Sequence, residues 1–301
     1  RSKVDQLVGD NRGKFAEYFV YVLSFIGTPK AIRAIDQLSR KYQNKQKNVG
    51  AAALVAFEKA AELKNITTLE LADQVIPDLG FEGNYQEFDV KGKIWRAFVD
   101  FDFTLVFVDE DNKKAKTPKG ADTELKNKIK EWNKELREAI KYLHSRLETY
   151  LVIQRKWEKQ AWDALFLKNP IVYAYGTCLI WGVFQDGVLS DTFRINEEAL
   201  PMNVDYEEIS IPENASIGLI HPIDLTKEQK EAWKNHLTDN EITQPFIQLD
   251  RQVRQLPAEL AGKKMIKSIH EESIDGNRFR SFMEKRSWQR GSVQDAGWIG
   301  S

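Results

Sequence analysis

The sequence predicts an α+β protein in three parts: an N-terminal HEAT-like helical segment over 1–82, a small antiparallel β meander with a long amphipathic helix over 83–168, and a mixed α+β domain over 169–301. Three observations lead there. Apolar residues recur every three or four positions through the first eighty residues, the period changes to two between Trp95 and Phe107, and a near-heptad pattern then runs on from Leu125. Helices and short strands alternate without the regular βαβ repeat of a doubly wound sheet.

In the first part Phe15, Phe19, Leu23 and Ile26 form one apolar stripe, which is expected to face inward, and Gly27-Thr28-Pro29 supplies a stop, a cap and a first-turn proline. Ala31, Ile35 and Leu38 continue the pattern into a second helix. Gly50 to Leu63 is alanine-rich and suited to close packing, and Thr67 with Glu70 makes a capping box for a short helix ended by Pro77 and Gly80. A helical pair of about forty residues has the size of one HEAT-type repeat.

The alternation of Trp95, Ala97, Val99, Phe101, Phe103, Leu105 and Phe107 against Arg96, Asp100, Asp102 and Thr104 reads as one half-exposed strand. Gln86 to Val90 and Lys113 to Thr117 are its expected partners, with Asp109-Glu-Asp-Asn112 as a turn. From Asp122, the positions of Leu125, Ile129, Trp132, Leu136, Ala139, Leu143, Leu147, Tyr150 and Trp157 predict one long helix. It would run for about forty residues and about 60 Å, with breaks expected near Gln154 or Lys168-Asn-Pro170. After Pro170 the expected strands are Cys178–Phe184, Thr192–Ile195, Glu208–Ile211 and Ile217–Ile220. Helices are expected after Thr226, from Pro257 to Ile269, and from Asn277 to Arg286.

The chain has 301 residues and is 42% hydrophobic, enough for a sizeable core. Its 44 basic residues balance 45 acidic ones, so net charge gives no case for nucleic acid or an anionic membrane as the obligatory partner. One cysteine, Cys178, cannot pair within the chain, which points to a reducing, cytoplasmic setting. No apolar run approaches the ~18–20 residues of a membrane span. The start, Arg1-Ser-Lys-Val-Asp-Gln, is neither a signal sequence nor an ordinary initiation, and a fragment is the expectation.

No catalytic set assembles from the motifs. Val99-Asp-Phe-Asp-Phe-Thr-Leu105 matches the Asp-x-Asp-x-Thr spacing of haloacid dehalogenase phosphatases, but the alternation puts both carboxylates on the solvent face of a continuing strand and no later acidic pair follows. Asp109, Asp111 and Asn112 lack the glycine and closing glutamate of a calcium loop, and Gly262 to Ser268 lacks a phosphate-cradling glycine spacing. The four histidines have no second ligand at zinc spacing, so neither a metal nor a cofactor is expected. The candidate functional surface is Trp181, His221, Gln244, Gln248 and Arg251. His221 follows an apolar strand and precedes a proline. The glutamines and Arg251 flank apolar Phe246 and Leu249, an arrangement that reads a polar ligand or ties a loop to a sheet. Lys113, Lys114, Lys116 and Lys119 form a local basic cluster beside a hairpin, neutralised in large part by the neighbouring aspartates.

Several short signatures share an order: Gly27-Thr-Pro29, Pro77-Asp-Leu-Gly80, Arg146-Leu-Glu148, Leu179-Ile-Trp-Gly-Val-Phe184, Gly218-Leu-Ile-His-Pro-Ile-Asp-Leu225, Gln244-Pro-Phe-Ile-Gln-Leu-Asp-Arg251 and Arg290-Gly-Ser-Val-Gln-Asp-Ala-Gly297. Taken together they resemble the MolR-type bacterial family, domain of unknown function 4132, whose best-known member was named for molybdate metabolism regulation. The resemblance implies a large cytoplasmic protein with helical-repeat material ahead of an α+β region, and it supplies no catalytic residue. The resulting expectation is a bacterial cytoplasmic interaction or regulatory scaffold module whose partners are other proteins. The rivals are an enzyme with a site near His221, Gln244 and Arg251, and a nucleic-acid-associated factor using the lysine-rich hairpin.

Overall fold

The computed structural model describes residues 2–43, 45–253, 258–262 and 275–285. The α+β class holds: helices accompany two small antiparallel sheets. Contacts divide the chain into two compact units. One contains the residues up to Val75 together with those from Arg254 on, and the other is Ile76–Val253.

The first unit is helical: α1 (Ser2–Gly9), α2 (Gly13–Ile26), α3 (Pro29–Tyr42), α4 (Lys47–Leu63) and α5 (Thr68–Gln74). Local chemistry sets the boundaries. Gly27 ends α2 at φ +63°, and its N–H bonds the Leu23 carbonyl; a Cβ would be strained in that left-handed conformation. Thr28 then accepts from the Ala31 amide to start α3, and Thr67 with Glu70 completes the expected capping box of α5. The core is built from Ile32, Ile35 and Leu38 of α3 and from the small residues Ala53, Ala56, Ala60 and Ala61 of α4. Small residues let the helices approach closely. A Cβ on Gly50 would lie 2.8 Å from backbone atoms of Tyr42 and Gln43, so only glycine fits where α4 begins against the end of α3.

The inward stripe expected for α2 is corrected by the structure. Its buried residues are Ala16 and Val20, and Leu23 of the stripe packs beside them against the core, whereas Phe15, Phe19 and Ile26 are exposed. The helix has apolar residues on both sides, and the side with the smaller ones packs against α4, because closer backbone approach there buries more of the neighbouring helix.

In the second unit β1 (Tyr85–Asp89), β2 (Ile94–Val99), β3 (Leu105–Asp109) and β4 (Lys114–Ala115) form the expected meander, in that order. The single strand expected through Phe107 is two strands. Asp100 and Thr104 close a tight turn in which Phe103 takes φ +59° and Asp102 Oδ1 accepts from the Thr104 amide at 3.0 Å and its hydroxyl at 2.6 Å. Asp100 and Asp102 are therefore turn residues and not the solvent face of a continuing strand. The turn places Leu105 opposite Val99, so the two-residue alternation survives the reversal and conceals it.

Helix α6 (Thr123–Val152) has thirty residues, a length of about 45 Å at roughly 1.5 Å per residue. It stops at the expected break, with Gln154 at φ +51°. The chain beyond it departs from the helical expectation. Lys156–Glu158 is a short strand, β5, followed by α7 (Lys159–Trp162), a π turn over Asp163–Leu167, and α8 (Pro170–Gly176), whose start Asn169 caps by accepting from the Ile171 and Val172 amides.

The second sheet joins β5 to β6 (Trp181–Gln185), β7 (Val188–Ile195), β8 (Pro201–Met202) and β9 (Ser216–Leu219) in the order β5-β9-β6-β7-β8, antiparallel throughout. Asp186-Gly187, both at positive φ, form the hairpin turn between β6 and β7. The expected strand Glu208–Ile211 contributes only an isolated bridge from Glu208 to Met202. Helix α9 (Lys227–Asp239) starts at the Thr226–Gln229 capping box and buries Trp233 and Leu237. Beyond Val253 a 3-10 turn covers Ala258–Leu260 and α10 spans Gly276–Lys285. Most of the expected Pro257–Ile269 helix and all of Arg290–Gly297 lie outside the described residues.

Candidate functional site

The late signature block is gathered around the adjoining ends of β6 and β9, and its polar groups are spent on the backbone. Gln248 is fully buried. Its Oε1 accepts from the Ile180 amide at 3.0 Å, and its Nε2 donates to the carbonyls of Ile180 at 2.7 Å and Ile220 at 3.0 Å. Those groups lie where the β6–β9 ladder runs out, just past the pair that joins the Ile220 amide to the Ile180 carbonyl, so one amide side chain completes the ladder. Gln244 holds Gln248 from behind, its Nε2 donating to Oε1 at 2.8 Å. Arg251 Nη2 reaches Glu148 of α6 at 2.7 Å and ties the end of the late block to the long helix.

Trp181 and Gly182 serve the same joint. Trp181 is buried against Trp157, Trp162 and Phe166 in edge-to-face contacts, and its indole N–H donates to the Gly176 carbonyl at 2.9 Å. A Cβ on Gly182 would sit 2.7 Å from the Ile220 Cδ1 and 2.8 Å from the Leu189 Cδ1, so any side chain there would have to displace those methyl groups. His221 caps the following 3-10 turn (Pro222–Asp224): its Nδ1 accepts from the Ile223 amide at 3.2 Å, while its own amide donates to Asp224. Partial burial lowers its pKa, so the ring is held neutral. The structure thus brings Gln244, Gln248, Trp181 and the stretch before His221 to one place, where the polar groups of Gln248 and Trp181 are bonded to backbone.

A second polar cluster was not visible in the sequence. Arg194 of β7 donates from Nε to His236 Nε2 at 3.3 Å and from Nη1 to the carbonyls of Thr177 and Ile195. His236, also buried, places Nδ1 3.1 Å from the Val204 carbonyl, stacks on Tyr206 and meets Trp233 edge on. Since Nε2 accepts from a guanidinium, the imidazole carries its proton on Nδ1, and burial lowers its pKa. Burial likewise raises the Cys178 thiol and favours its protonated form. Partners 42 residues apart in the chain leave no local spacing by which to find this pair.

A cleft of about 320 Å³ opens beside the meander, lined by Tyr85, Arg96, Phe101, Lys114, Tyr173 and Glu197 among others. Its cations are already matched: Lys114 pairs with Asp100 at 2.7 Å, and Arg96 pairs with Glu87 while lying over the Tyr85 ring. This corrects the phosphatase argument in its detail. Asp100 does follow a strand end, but it is paired to a lysine at a tight hairpin, and among the described residues no cluster of acids, histidines or cysteines is arranged to hold a metal. Lys93 pairs with Asp109 at 2.8 Å and, with the Lys113 amide donating to the same carboxylate, holds it below the usual range, while the Lys113 ammonium pairs with Asp111 at 3.8 Å.

In the helical unit the outer side of α2 stands apart. Phe15, Tyr18, Phe19, Val22, Phe25 and Ile26 are all exposed, Phe25 by 90%. Single exposed apolar residues are ordinary, but six on one side of a fourteen-residue helix are not. The helix has only two charged residues, Lys14 and Glu17, paired with each other at 2.8 Å near its start.

No helix among the described residues is long and apolar enough to cross a membrane. The chain is 27% identical over 242 residues to the uncharacterized protein YehI of Escherichia coli strain K12. That match covers 76% of the chain but spans only about a fifth of the length of YehI. No solved structure matches the chain. The family model described as domain of unknown function DUF4132 matches residues 112–288, more than half of the chain and the stretch that carries α6, the second sheet and its Gln248 joint. The chain belongs to this DUF4132 family.

Proposed function

We propose that this chain is a protein-interaction module of a bacterial cytoplasmic protein, its helical unit providing the recognition surface and its sheet unit a rigid body. The observation that supports this reading is the exposed aromatic side of α2. A helix that is apolar on both sides is normally a core helix, so α2 has the composition of an interior element and the exposure of a surface one. The buried, internally bonded state of Gln248 and Trp181 agrees, since these residues act on their own backbone. The regulatory role implied by the MolR-type resemblance belongs to the same proposal: a surface without chemistry of its own acts through what it holds. Molybdate binding is no part of it.

The experiment is affinity isolation of the chain from the host that encodes it, with wild type and Phe25→Glu in parallel. Proteins recovered by wild type and lost from the variant are those held by the α2 surface. Identical recovery from both would overturn the reading.

A further inference from the structure

The six exposed residues of α2 follow a helix-packing pattern. Phe15, Tyr18, Val22 and Phe25 are spaced three, four and three residues apart, the a and d positions of two heptads, with Phe19 and Ile26 beside them. Such a stripe is read by another helix lying along it. The opposite side, Ala16 and Val20, is already occupied by the core of the unit. Next to the stripe, a shallow groove of about 430 Å³ between α2 and α4 is lined by Tyr21, Ala51 and Val55, and Val55 and Leu54 of α4 are half exposed.

Area and charge say what fits there. An aromatic side chain offers roughly 150–250 Å², so the exposed fractions on α2 amount to something on the order of 700 Å² of apolar surface. That is close to the ~800 Å² that each partner contributes to a standard-size interface. Beyond the self-paired Lys14 and Glu17, the stripe carries no charge, so an acidic or basic partner would find nothing to pair with, while an identical stripe meets no repulsion. A second copy of α2 offers a surface of matching composition and length.

We infer that the chain forms a two-fold dimer in which the outer stripe of α2 packs on the same stripe of a second copy. The inference rests on the interaction reading above and names the partner. A two-fold contact uses one self-complementary patch on both copies and closes on itself, so association stops at two.

The test is sedimentation velocity on the full 301-residue chain from about 0.5 to about 50 µM, a range reached by interfaces of this size. Wild type is expected to dimerise within it. Phe25→Glu and, at the other end of the stripe, Phe15→Lys are each expected to raise the dissociation constant by more than about tenfold with an unchanged helical circular dichroism spectrum. Ile247→Glu, at a similarly exposed apolar residue of the other unit, is expected to leave the dimer intact. A monomer at every concentration would overturn self-pairing; the interaction reading would survive if host proteins were still lost on Phe25→Glu. A dimer indifferent to both α2 variants would place the contact elsewhere and overturn the inference.

Discussion

Gln248→Leu removes the joint between β6 and β9 while keeping the side chain's bulk. The substitution leaves the Ile180 amide and the Ile220 carbonyl buried without this partner, and takes from the Ile180 carbonyl the shorter of its two bonds. A buried polar group left unpaired costs about 1–3 kcal/mol, so two of them sum to roughly 2–6 kcal/mol, a large share of the ~5–15 kcal/mol that holds a domain together. Leucine regains a little by burying apolar surface, which argues for the lower half of that range. Gln244→Ala, which removes only the outer of the two glutamines, should cost about 1 kcal/mol or less. Urea denaturation followed by tryptophan fluorescence is the assay, because the six described tryptophans all belong to the second unit. A loss below about 1 kcal/mol for Gln248→Leu, or a larger loss at Gln244 than at Gln248, would refute the argument that the block is architecture.

Gly50→Ala inverts the usual helix rule: alanine gains about 1 kcal/mol in propensity, but its Cβ meets three backbone atoms at 2.8 Å. Overpacking of that kind costs about 1–3 kcal/mol, so a lower melting temperature by circular dichroism is expected, and a neutral or stabilising result would contradict the close approach. His221 and His236 both have pKa values lowered by burial, so the unfolded chain takes up protons first. Stability is then fully present above the unfolded value near 6.5 and declines as pH falls below it. Denaturation midpoints at pH 7.5 and 5.5 check the sign, and His236→Gln should flatten the slope. Phe25→Glu should leave the stability of the isolated chain within about 0.5 kcal/mol, because the ring is 90% exposed; a large loss would mean that Phe25 packs within its own chain.

Much of the architecture can be read from local chemistry. The capping box at Thr67, the start of a helix after Thr226 and the break at Gln154 each depend on residues a few positions apart, and each stands where the sequence places it. What local chemistry cannot carry is choice between equivalents. Both sides of α2 are apolar, and periodicity has no means of saying that Ala16 and Val20 face inward while Phe15 and Phe19 do not. The turn at Asp100–Thr104 preserves alternation and so reads as strand. Three residues of β5 vanish inside a heptad pattern because Trp157 suits either a helix stripe or a strand interior. The choice posed at Gln244 and Gln248, between reading a ligand and tying a loop, depended on where Ile180 and Ile220, far apart in the chain, would meet. The Arg194–His236 pair depended in the same way on its own distant partners.

The claim that α2 is an interior helix of an assembly has a direct measurement in hydroxyl-radical footprinting of its aromatic side chains. The chain is labelled once when dilute and once in the assemblies it forms, with Tyr206 of the second unit as an exposed internal reference. Phe15, Phe19 and Phe25 are predicted to lose most of their labelling on assembly while Tyr206 keeps its own. Equal labelling of those phenylalanines in both states would contradict the account.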